Sequence, residues 1–360
     1  MAGTARRVSV GILLTLIIWP AVAEEYTDGP AAMYGISWAA EQHFSRSNYD
    51  ELDEMFTELS NSDRRFDDGR WPIAGFTGGI TDCVDAHKDW EWMEANIAAW
   101  RIRNSKSTAA AIVEAQYWIT YAWNARGEGF ASTVTPEGWE LYRGRLNIAR
   151  SVLDASKDYA ADSPLWYAKY LDIANAQGWS RDEVQALFEE AVEKEPHYYG
   201  HYFSMIKYLQ PRWHGDFLQI EEFANWAVEA TKKVEGKSLY ARIYWYLNQL
   251  ESVDFDLFQD SFASWDIMRA GFQDLMERHP NSFWNMNNFA VFACLAKDKE
   301  TYAALRPRFE GKEFHMAWPS NLSVEICDVR MLNAKEKPQS AQRTSNGQLL
   351  QIGKLEDKAS

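Results

Sequence analysis

Cysteine is scarce, a basic excess is missing, and no apolar run beyond the first two dozen residues is long enough to span a bilayer. Three cysteines in 360 residues are too few for a disulfide-built scaffold. With 37 basic against 52 acidic side chains the formal charge is −15, and the pI is near 5.0. An electrostatic nucleic-acid binder or a binder of anionic membranes needs the opposite sign, so both classes are excluded. Reactive motifs are absent too: there is no Cys-x-x-Cys, no Gly-x-Ser-x-Gly elbow, no Walker loop and no calcium-loop spacing. No strand alternation stands out. Aromatic and apolar side chains are plentiful instead, at 14% and 46% with 17 tryptophans, which excludes intrinsic disorder of the bulk of the chain.

Residues 1–23 read as a signal peptide. Arg6 and Arg7 precede an apolar stretch from Val8 to Ile18, Trp19-Pro20 breaks it, and Ala21-Val22-Ala23 is a small-x-small cleavage site. Cleavage removes two positive charges, taking the net charge from −15 to about −17. The expected location is the periplasm or the exterior, with membrane contact only through an uncleaved signal. In an oxidising compartment an odd cysteine count leaves at least one thiol unpaired. Cys294, inside Ala290-Val-Phe-Ala-Cys-Leu-Ala296, reads as a small buried hydrophobe. Pairing of Cys83 with Cys327, or of Cys294 with Cys327, stays open, but a chain of this length needs no disulfide, and none is expected.

The helical period recurs from residue 24 to 334. Leu52, Met55, Phe56 and Leu59 fall on one helix face. Asp67 to Pro72 reads as a loop that Gly75, Gly78 and Gly79 continue, followed by one helix from Thr81 to about Arg103. Ser107, Thr135-Pro136-Glu137, Ser163-Pro164, Ser180-x-x-Glu183 and Asp216-x-x-Gln219 are helix starts. Phe188-x7-Pro196 matches Phe272-x7-Pro280, and Pro164 and Pro196, both read as helix openers, lie 32 residues apart. Such periods suit tetratricopeptide-like repeats of about 34 residues. The expected fold is all-α: stacked antiparallel helical hairpins in a TPR-like α-solenoid. Residues 335–360 are polar and read as a disordered tail.

Two segments concentrate chemistry. The first runs from Glu195 to Asp216 and holds His197, His201, Tyr202, Arg212, Trp213 and His214. His197 and His201, four apart, would share a helix face as zinc ligands do, with Glu193 or Asp216 to add a carboxylate. Tyr198 occupies the place of the glutamate in His-Glu-x-x-His, so neither metal nor cofactor is expected. Pro211 ends a helix, Arg212 can bond exposed helix carbonyls, and Trp213 can fill a corner between helices. The second segment, Ala122-Trp-Asn-Ala-Arg-Gly127, puts Arg126 at a helix end beside glycine. Trp71 follows the Asp67–Arg70 loop.

Three pieces together resemble a known bacterial family. They are Glu51-Leu-Asp-Glu with Arg65-Phe-Asp-Asp-Gly-Arg-Trp71, then Ala122-Trp-Asn-Ala-Arg-Gly127, then Tyr208-Leu-Gln-Pro-Arg-Trp-His-Gly-Asp216. In order and spacing they are similar to the family of domain of unknown function 4034, over roughly residues 45–235. The resemblance implies a helical, TPR-like protein, often exported. It carries over no catalytic residue, and the family commonly has glycine where His214 stands.

The expected function is an exported helical-repeat module that binds a protein or peptide, or scaffolds a complex, in the cell envelope. Its acidic surface would favour basic or polar partners. The binding candidates are Trp71, Arg126, His197, His201, Tyr202, Arg212, Trp213 and His214. The alternative is a helical-barrel enzyme acting on a glycan or cell-wall polymer, with His197, Tyr198, His201, Tyr202 and His214 supplying acid, base and stacking groups.

Overall fold

A computed structural model describes residues 27–61, 64–87 and 89–332, with backbone alone for 82–87. The expected signal at 1–23 and tail at 335–360 lie outside these residues. Among the described residues there are α-helices and short 3-10 turns and no strand. No described helix is long and apolar enough to cross a membrane. The stretch read as one array divides into two compact units, one ending at Ser282 and one starting at Phe283.

The first unit begins with α1 (Gly29–Ser45), α2 (Tyr49–Asn61), α3 (Phe76–His87) and α4 (Trp90–Arg103). The apolar face foreseen for α2 is buried at Leu52, Met55, Phe56 and Leu59. Two expectations fail here. Gly78 and Gly79 are helical, because α3 lies hard against α1: a Cβ on Gly79 would sit 1.7 Å from the Ser37 carbonyl oxygen. Glycine serves a close helix contact rather than a loop. The single helix from Thr81 to Arg103 is two helices, because the Asp89 side chain accepts the Trp92 N–H and starts α4 afresh.

Next come α5 (Thr108–Arg126), α6 (Pro136–Ala160), α7 (Pro164–Gln177), α8 (Arg181–Lys194), α9 (Tyr199–Leu209), α10 (Phe217–Glu235) and α11 (Ser238–Leu250). The short α12 (Leu257–Asp260) and α13 (Trp265–Arg278) complete the unit. Local chemistry sets these starts. Ser107 and Thr135 accept N–H bonds from Ala110 and Gly138, Ser180 and Glu183 form a reciprocal capping box, and Asp216 accepts from Gln219. Each such cap contributes about 1 kcal/mol. Pro164 opens α7, although Ser163 makes no side-chain cap. Pro196 opens nothing: it lies in a turn, and α9 begins at Tyr199.

Helices α5, α7, α9 and α11 are successive neighbours in space, while α6, α8 and α10 pack beside the helices they connect. Contacts between helix ends show that α5, α7, α9 and α11 run in the same direction. Near one edge Trp123 of α5 meets Trp213 just after α9, and Arg212 bonds the last carbonyl of α11. Aromatic packing fills the interior. Phe188 sets its edge against Tyr202 at 5.5 Å and against Phe223 at 5.4 Å, and all three rings are buried. Such pairs contribute about 0.5–1.5 kcal/mol beyond burial.

The second unit contains α14 (Phe283–Leu295), α15 (Lys299–Leu305) and α16 (Val324–Met331), with α14 touching both of the others. Cys294 and Cys327 form a disulfide between α14 and α16 with Cα atoms 5.9 Å apart, which corrects the expectation of unlinked thiols. The bond closes a loop of 33 residues, worth about 3–4 kcal/mol in the chain-entropy model. Beside it the Arg306 Nε and the Tyr302 hydroxyl both donate to Asp328.

Candidate functional site

The eight candidate residues separate onto two edges of the α5–α7–α9–α11 layer. Trp71, His197, His201 and Tyr202 gather where α7, α9 and α11 begin. Arg126, Arg212, Trp213 and His214 gather where α5, α9 and α11 end.

The first edge is covered by the loop 65–71. Asp68 is fully buried and accepts bonds from the Gly29 and Arg70 N–H groups and from the Arg70 Nε. Its own carbonyl accepts from the Arg242 guanidinium. Gly69 has φ +86°, and a Cβ there would lie 2.6 Å from His279 Nε2 and 2.7 Å from Arg242 Nη2. Both its conformation and its space demand glycine. Trp71 then turns inward: its Nε1 donates to the His197 carbonyl at 3.0 Å and its ring meets Tyr198 edge-on. The Arg65 guanidinium lies 3.2 Å over that ring.

Behind Trp71 the ring of Tyr198 meets His201, which is fully buried. Burial pushes the His201 pKa down to about 4, so the ring is neutral at neutral pH. Its Nε2 lies 3.1 Å from the Pro164 carbonyl, which fixes the proton on that nitrogen. The Tyr202 hydroxyl donates to the Pro196 carbonyl at 2.7 Å, and burial raises its pKa above the ordinary tyrosine range. His279 beside Gly69 is likewise lowered, by burial and then by Arg242 and Arg278. His197 precedes α9 in a turn, so the helical i, i+4 pairing with His201 does not arise. Among the described residues no three His, Cys, Asp or Glu side chains gather as metal ligands would. Trp71 Nε1, His201 Nε2, the Tyr202 hydroxyl and Arg242 Nη2 each bond a backbone carbonyl of another segment.

The second edge is open. Arg126 donates to the Gly127 and Gly129 carbonyls, and its guanidinium lies 5.3 Å over Trp123 and 5.7 Å over Trp139. Gly127, with φ +73°, ends α5. Trp123 meets Tyr142 and Trp213 edge-on at 5.1 and 5.9 Å. Arg212 bonds the Gln210 side chain and, at 2.7 Å, the Leu250 carbonyl, the end-of-helix role its position suggested. His214 packs on Tyr208, and its Nε2 lies 3.2 Å from the Asn175 carbonyl. Tyr142 is buried, and that burial pushes its pKa up to about 12 against the opposing charge of Arg126. Trp123, Trp139 and Trp213 stay half-buried, each with part of its ring in solvent.

Arg126, Trp213 and His214 are therefore brought together, and Arg212 stands beside them facing α11. His197, His201 and Tyr202 stand at the opposite end of α9 from His214, so the acid–base set considered for a glycan enzyme is not assembled. Reading the chain missed Trp123, Trp139, Tyr142 and Trp179 at the open edge. One signal for part of this was in view. Trp139, Arg143 and Asn147 recur every four residues along α6, an aromatic and polar stripe where a core-facing stripe would be apolar.

Residues 40–143 match the family model described as Domain of unknown function (DUF4034). That stretch contains the first two of the three motifs, with Trp71, Arg126, Trp139 and Tyr142, and it ends before the Pro211-Arg212-Trp213 corner. No curated protein and no solved structure matches the chain.

Proposed function

We propose that the chain is an exported, TPR-like array of helical hairpins that holds a protein or peptide partner at its open edge. The observation that carries this reading is the meeting of Trp123, Arg126, Trp139 and Trp213 at one solvent-facing corner. Half-exposed tryptophan and arginine are the side chains that dominate binding energy at protein interfaces. The arginines there are held by backbone carbonyls, so their planes are oriented before a partner arrives. The parallel succession of α5, α7, α9 and α11 with connecting helices beside them supports the hairpin-array reading. The Cys294–Cys327 disulfide supports export, since such bonds persist in oxidising compartments.

The test is capture from an envelope extract at moderate salt, using the purified chain beside its Trp213→Ala and Arg126→Ala variants. A stoichiometric partner held by the parent and lost by Trp213→Ala is the expected result. A partner held equally by all three, or none held by a folded parent, refutes the reading. Export is read separately: the secreted or periplasmic form should begin at Glu24, and a full-length cytoplasmic product would reject it.

A further inference from the structure

Beside the corner, and sharing only Trp139 with the surface proposed for a protein partner, α6 and the end of α7 line a groove of about 420 Å³. Its walls include Trp139, Tyr142, Arg143, Asn147, Gln177 and Trp179. In a protein with 52 acidic side chains, no carboxylate of the described residues lines this groove.

Three features define what fits. The indoles of Trp139 and Trp179 are half-buried; each meets its tyrosine neighbour edge-on and has a guanidinium over one face, Arg126 at 5.7 Å over Trp139 and Arg150 at 4.6 Å over Trp179, which leaves the opposite face without a stacked aromatic ring. An indole face, negative at its centre, attracts the C–H face of a saturated ring. The amides form a directed chain. Trp179 Nε1 donates to Gln177 Oε1 at 3.0 Å, and Gln177 Nε2 donates to Asn147 Oδ1 at 2.9 Å. That chain uses the Asn147 acceptor and leaves its Nδ2 with two hydrogens to offer. Arg143, one turn from both Trp139 and Asn147, is exposed and makes no hydrogen bond or ion pair among the described residues. A guanidinium without a partner is a bidentate site for a planar carboxylate.

We infer that this groove binds a carboxylate-bearing pyranose, a uronic acid unit of an acidic polysaccharide, with its ring against the Trp139–Trp179 walls and its carboxylate on Arg143. A pyranose presents an apolar C–H face, a rim of hydroxyls and, in a uronate, one carboxylate at a fixed distance from the ring. The groove's lining holds two indoles, two side-chain amides and one guanidinium, the matching set of groups. A neutral sugar leaves Arg143 unused, and an acidic peptide has no saturated ring to lay on the indoles.

Calorimetric titration of the purified, disulfide-bonded chain tests this with trigalacturonate, maltotriose and triglutamate as probes. Trigalacturonate should bind at least tenfold more tightly than either of the others. Arg143→Gln, an exposed change, should erase the advantage over maltotriose, and Trp139→Ala should lower trigalacturonate affinity tenfold or more with an unchanged circular dichroism spectrum. No heat with trigalacturonate, equal affinity for triglutamate, or binding indifferent to both substitutions overturns the inference. Trp213→Ala should leave trigalacturonate affinity unchanged, so failure here is distinguishable from failure of the protein-partner reading.

Discussion

The two edges of the α5–α7–α9–α11 layer use the same residue types for opposite ends. At the covered edge Trp71, Tyr198, His201 and Arg242 are buried, and Trp71 Nε1, His201 Nε2 and Arg242 Nη2 each meet a carbonyl. At the open edge Trp123, Trp139, Trp213 and Arg126 keep part of their surface in water. The difference lies in what crosses each edge. The loop 65–71, fixed by Asp68 and Gly69, lies over the helix starts, and no described segment does the same for the helix ends. A tryptophan or histidine in this chain is therefore read by its edge and not by its type.

The comparison breaks most readily at Asp68. Replacing it with alanine orphans the Gly29 and Arg70 N–H groups and the Arg70 guanidinium, and should cost about 3–5 kcal/mol in urea unfolding. A cost below about 1 kcal/mol would mean that the covered edge is not a seal. His201 offers a second break. Its pKa is depressed in the fold, so its contribution is complete above the unfolded value near 6.5 and is lost as pH falls toward about 4. The loss is about 3 kcal/mol at most, and the same pH series on His201→Gln should show a flatter decline. Equal slopes in parent and variant would remove His201 from the account.

Changes at the open edge should be smaller. Trp213→Ala removes a half-buried ring and its contact with Trp123, for about 1–2 kcal/mol. Arg126→Ala forfeits exposed cation–π contacts and two loop bonds, for about 0.5–1 kcal/mol by the same unfolding measurement. A cost above 2 kcal/mol for Arg126→Ala would make it a structural residue and erase the contrast between the edges.

What could be read from the chain follows the range of each interaction. The caps at Ser107, Thr135, Ser180 and Asp216 were legible because donor and acceptor lie three residues apart. The all-helical class followed from the same local periodicity. The glycines of α3 misled because their reason is Ser37, some forty residues earlier, and no local rule distinguishes a glycine at a helix contact from one in a loop. Trp71 and Arg126 were both singled out, but their sorting into seal and surface depends on partners such as His197, 126 residues beyond Trp71. The disulfide was legible only as alternatives, because the 5.9 Å between Cys294 and Cys327 is a property of the packed second unit.

The covered edge also imposes an order of events. Asp28 accepts from the Ser282 hydroxyl, 254 residues later, and the Asp68 carbonyl waits for Arg242, 174 residues later. A chain emerging amino-end first can form α1 to α9 by local caps and neighbour packing while the loop 65–71 still lacks its seat. Closure becomes available only when residue 282 has emerged. Until then the Asp68 carbonyl and the Gly69 turn face water, so a nascent or truncated chain ending before Arg242 is the species most exposed to proteases and holdase chaperones.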